Sequence, residues 1–70
     1  MAYKYNTEIK GTITNVSNGN LEIYVTDEKI YMVLPYKTIQ DLRGATINDL
    51  VKVIFNTKTK DIRCVTKIQP

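Results

Sequence analysis

Residues 18–26, NGNLEIYVT, constrain the chain more than any other stretch. Asparagine followed by glycine between apolar runs is the strongest short signal for a two-residue β-hairpin, because both residues accept positive φ. In the run after it, Leu21, Ile23 and Val25 share one face and Glu22, Tyr24 and Thr26 the other. That period of two belongs to a strand with one side against a core.

The rest of the chain repeats the pattern. Residues 8–16 hold Ile9, Gly11 and Ile13 in phase, but Ile13 and Val16 are out of phase, and a bulge near Asn15 is needed to turn both inward. A turn at residues 26–29 leads to a third strand over residues 30–34, in a register that sets Val25 against Ile30, Ile23 against Met32 and Tyr24 against Tyr31. Pro35 ends that strand. Residues 38–44 fit a short helix capped by Thr38, with Ile39 and Leu42 on one face and Gly44 at its end. Residues 50–56 and 61–68 form strands four and five. Val51, Val53 and Phe55 point inward from one, and Ile62, Cys64 and Ile68 from the other, so that Phe55 faces Ile62. Val33, Leu50, Ile54 and Val65 then point outward. Three strands, a short helix and two strands in 70 residues fit an all-β, five-stranded Greek-key barrel of the OB type, with an SH3-like barrel as the nearest competitor.

Length permits a single core and a single domain, residues 1–7 forming a flexible arm that holds Tyr3 and Tyr5. No run approaches the roughly 18 apolar residues of a membrane span, and residues 1–11 lack the apolar centre of a signal peptide, so the expected location is cytoplasmic. The chain has no histidine and one cysteine, Cys64, which rules out an internal disulfide and the usual zinc ligand sets; Cys64 reads as a small core residue. Catalysis is poorly supplied: Asp27-Glu28, in a hairpin tip, is the one adjacent acidic pair, and there is no glycine-rich phosphate loop. The expectation is a protein without enzymatic activity, metal or cofactor.

Charge is unevenly spread. Residues 1–50 carry five Lys/Arg against six Asp/Glu, and residues 51–70 carry five against one, so the net charge of +3 arises in the last segment. Single-strand binders of the OB fold combine a positive groove with aromatic platforms on strands 2 and 3, flanked by the loops after strands 1 and 4. Tyr24 and Tyr31 fall on that face. The candidate nucleic-acid contacts are therefore Tyr24, Tyr31, Lys52, Lys58, Lys60 and Arg63, the loop NTKTKDIR (residues 56–63) acting first as a turn and only then as a clamp.

Two resemblances sharpen this reading. The opening MAYKYNTEIKGT, with an acidic residue before a strand that carries Gly-Thr, and the stretch NDLVKVIFNTKTKDIR, with Asp49 and Arg63 at its ends, resemble S1-like OB domains, and among them bacterial translation initiation factor 1. Asn48 stands where that family has glycine, the loop lacks a glycine before Arg63, and Lys37 and Arg43 stand in place of its basic cluster. The resemblance thus implies a divergent S1-like binder of RNA or single-stranded DNA, of the kind a phage or mobile element encodes. EIKGTITNV and the later turn also look like TOBE-type molybdate-binding domains, with Asn56-Thr57-Lys58 at the oxyanion-binding stretch. Outward apolar residues supply a further alternative, a protein-interaction or homo-oligomerising module.

Overall fold

The computed structural model describes residues 5–68. Five strands make one antiparallel sheet: β1 (Asn6–Ser17), β2 (Asn20–Val25), β3 (Ile30–Pro35), β4 (Leu50–Asn56) and β5 (Ile62–Lys67). They lie in the order β3-β2-β1-β4-β5, with a 3-10 turn at Ile39–Leu42 between β3 and β4. Each strand read from the alternation is present. Among the described residues, hydrogen bonding leaves β3 and β5 as sheet edges, so the ladder does not close a barrel. Among the described residues no helix is long and apolar enough to cross a membrane.

β1 organises the sheet. Its first half pairs with β4, from Asn6↔Asn56 to Thr12↔Leu50, and its second half with β2, from Gly11↔Val25 to Ser17↔Asn20. Among the described residues of β1, Gly11 and Thr12 have partners on both sides. At that crossover the chains come so close that a Cβ on Gly11 would run into the Tyr24 carbonyl oxygen and lie 2.7 Å from Ile23 Cγ2. The bulge required by the sequence lies between Ile13 and Asn15, because Ile13 faces Ile23 while Asn15 faces Glu22. It lets Ile13 enter the core and Val16 pack against it.

The core takes Leu21, Ile23 and Val25 from β2, Val51, Val53 and Phe55 from β4, and single residues from β1, β3 and the 3-10 turn. β5 contributes differently from the simple alternation. Phe55 faces Ile62 as expected, but Ile54 faces Cys64, so Arg63 is the extra residue of a second bulge. That shift carries Val65, expected to point outward, into the core at 1% exposure. Cys64, expected inside, is half-buried on the outer face, its Sγ 3.6 Å from Thr66 Oγ1. Ile68, also expected inside, is half-buried but outside the core cluster.

Turn chemistry explains the connections. Asn18 and Gly19 take φ of 53° and 79°, the geometry of a primed hairpin turn. The expected helix contracts to one 3-10 turn, held by the Asp41 carboxylate, which accepts the backbone N–H groups of Lys37 and Thr38 at 3.1 Å each. A single turn reaches the core with one side chain: Leu42 is buried and Ile39 is 62% exposed, against the shared inward face expected for them. The chain then returns through the loop at residues 45–49, where Ile13 N–H donates to the Asp49 carbonyl and Asn48 N–H to the Ile13 carbonyl.

Candidate nucleic-acid interface

The β2–β3 hairpin sets the geometry of the tyrosines. A four-residue connection keeps Val25 opposite Ile30, and alternation then brings Tyr24 opposite Tyr31 on the outer face. The rings meet edge to face, with centroids 5.0 Å apart and planes at 61°. Tyr31 is 63% exposed and Tyr24 half-buried, so one ring presents itself to solvent and the other supports it. Thr12 faces both Tyr24 and Leu50, which extends this into a row Tyr31, Tyr24, Thr12, Leu50 across four strands.

Lys52 belongs to the same face. Two strands and two residues separate it from Tyr24, which at strand spacings of ~4.8 Å and a rise of ~3.4 Å places the Cα atoms about 12 Å apart. Directly opposite Lys52 stands Lys10, absent from the candidates read from the sequence. Nothing local marks Lys10, because the pairing joins residues 42 positions apart. Glu22 adjoins Tyr24 on this face and accepts the Thr14 hydroxyl at 2.9 Å, and Glu8 adjoins Lys10, so the face carries both signs of charge.

Lys58, Lys60 and Arg63 lie elsewhere. Along β4 the β4–β5 loop begins six residues beyond Leu50, about 20 Å from the tyrosine row. The loop is a self-satisfied turn: Asn56 Oδ1 accepts the N–H groups of Lys58 and Thr59, and Thr57 donates both its N–H and its hydroxyl to the Tyr5 carbonyl. Tyr5, read from the sequence as part of an N-terminal arm, is thereby tied to the loop; Tyr3 lies outside the described residues. The two lysines rest on aromatic faces, Lys58 Nζ 4.6 Å from the Tyr5 ring centroid and Lys60 Nζ 5.8 Å from that of Phe55.

Arg63, at the bulge, lines a cavity of about 170 Å³ with Pro35, Tyr36, Lys37, Asp41, Asp61 and Ile62. Here the end of β3 and the start of β5 approach each other around the 3-10 turn. The structure thus gathers Tyr24, Tyr31 and Lys52 on one face and places Lys58, Lys60 and Arg63 at the other end of the sheet. No cluster of three His, Cys, Asp or Glu able to hold a metal occurs among the described residues. No family model, curated protein or solved structure matches this chain.

Proposed function

We propose that the protein is a non-catalytic, cytoplasmic binder of RNA or single-stranded DNA with little sequence preference, built as an OB-type Greek-key barrel of S1-like character. The fold part of this reading is supported by the strand order, by a β1 shared between two neighbours with glycine at its crossover, and by the turn that sits between the edges β3 and β5. One observation carries the function: a cross-strand tyrosine pair on the outer face of β2 and β3, one ring largely exposed and the other bracing it. Every base has a π-face, so such a platform stacks bases without reading them. Lys10 and Lys52 stand beside it as phosphate contacts, and the distant loop cations serve a strand long enough to reach them.

Fluorescence-anisotropy titration with mixed-sequence single-stranded oligonucleotides at low salt tests the proposal. Stacking contributes about 1–3 kcal/mol per base, so Tyr31→Ala with Tyr24→Ala should weaken binding by about tenfold to a hundredfold. Absence of binding by the parent protein, or indifference to the double substitution, overturns the reading.

A further inference from the structure

We propose that β3 is the docking edge for a second copy of this chain, the two β3 strands pairing antiparallel about a twofold axis at Met32. The two edges of the sheet are unlike. β5 carries Arg63 and Lys67, and charged residues are the usual protection of an edge strand. β3, IYMVLP, carries no charge, and Ile30, Tyr31 and Val33 are 46%, 63% and 56% exposed. Among the described residues, no strand is hydrogen-bonded to its side away from β2. An uncharged, apolar edge of this kind recruits another strand by backbone pairing.

Charge at the two ends of β3 selects the occupant. Asp27, Glu28 and Lys29 precede the strand, with a balance of −1, and Lys37 follows it; all four are exposed, and among the described residues none has an ion-pair partner. Antiparallel pairing of two identical strands puts the start of each beside the end of the other, so the acidic turn of one copy meets Lys37 of the second copy, twice over. A parallel arrangement would set acid against acid and lysine against lysine.

The strand itself selects the register. Antiparallel partners share a sheet face, so successive allowed registers differ by two positions. With the axis at Met32, Tyr31 lies beside Val33 of the second copy and Ile30 beside Leu34, and the β2–β3 turn of each copy lies near the end of β3 of the other. Moving the axis to Val33 sets Pro35, which has no N–H to donate, opposite Tyr31 instead. The contact is isologous and closes at two chains, leaving β5 outside it.

Sedimentation velocity over a concentration series reads this out, with circular dichroism confirming the fold of each variant. The expected result for the parent protein is a monomer–dimer equilibrium without nucleic acid. Val33→Lys, at an exposed position, should weaken dimerisation about tenfold or more. Asp27→Lys should weaken it as well, and Asp27→Lys combined with Lys37→Glu should restore it. A parent protein that stays monomeric, an assembly larger than a dimer, a dimer unaffected by Val33→Lys and Asp27→Lys, or a double variant that fails to recover overturns the proposal.

Discussion

Replacing Gly11 by alanine tests whether β1 truly passes its neighbours at contact distance. The added methyl group would press on the Tyr24 carbonyl and on Ile23 Cγ2, and Gly11 is held from both sides by β2 and β4. A flexible side chain could turn away from such a clash, but a backbone carbonyl in a paired strand cannot. Overpacking a rigid site costs about 1–3 kcal/mol, and backbone displacement belongs at the upper end or beyond it. Against this, alanine reduces the entropy of the unfolded chain, worth about 0.4–1 kcal/mol where φ is tolerable. The clash wins by about 2 kcal/mol or more. A 70-residue domain has roughly 4–10 kcal/mol in all, so the substitution removes a large share of it, and the midpoint temperature should fall by roughly 8–16 °C. Urea unfolding followed by circular dichroism, with unchanged m, measures the loss. Gly44→Ala is the control, since its φ of 84° costs about 1–2 kcal/mol while nothing lies within 4 Å of the new Cβ. If Gly11→Ala costs less than Gly44→Ala, the crossover is looser than described and the reasoning fails.

Three further outcomes follow from the packing. Val65→Ala should cost about 2 kcal/mol by urea titration and Cys64→Ala under about 1 kcal/mol, the reverse of what unbroken alternation implies. Asp41→Ala should cost about 1 kcal/mol in thermal unfolding, because two backbone N–H groups lose their acceptor at the start of the 3-10 turn. The Asp49–Lys67 pair, at 3.6 Å and partly exposed, should show a coupling below about 1 kcal/mol in a double-mutant cycle, although Asp49→Ala alone loses the acceptor of Thr46 N–H as well.

The two bulges show what alternation can reveal. In β1, Ile13 and Val16 are the apolar residues and Thr14 and Asn15 lie between them, so only an extra residue can turn both inward, and the sequence demands the bulge. In β5, Ile62, Cys64 and Val65 are all apolar. An unbroken strand buries Ile62 and Cys64, a bulged one Ile62 and Val65, and composition does not separate them. What decides is the packing of β5 against β4 and the turn at its other end, information spread over the whole chain. Hairpin registers were legible for the opposite reason: the connections after β1 and β2 are short, and a short turn leaves one phase that buries both apolar faces.

The candidate interface divides along the same line. Tyr24 against Tyr31 depends on one hairpin and could be read from twelve consecutive residues. Lys10 against Lys52 depends on β1–β4 pairing, and Lys58 on Tyr5 depends on two chain segments 53 residues apart, so neither is visible locally. The separation of about 20 Å between the tyrosine row and the β4–β5 loop makes a length-dependent prediction. Lys52→Gln should weaken oligonucleotides of every length and lower the slope of log affinity against log salt by about 0.7 for each phosphate that the lysine neutralises. Lys58→Gln with Lys60→Gln should leave the shortest bound oligonucleotides unaffected and weaken only those long enough to span both regions, above about four nucleotides. Anisotropy titrations over a ladder of lengths and salt concentrations separate the two. Equal sensitivity of short and long strands to the loop lysines would mean that the ligand enters at the loop, and the tyrosine row would no longer be its platform.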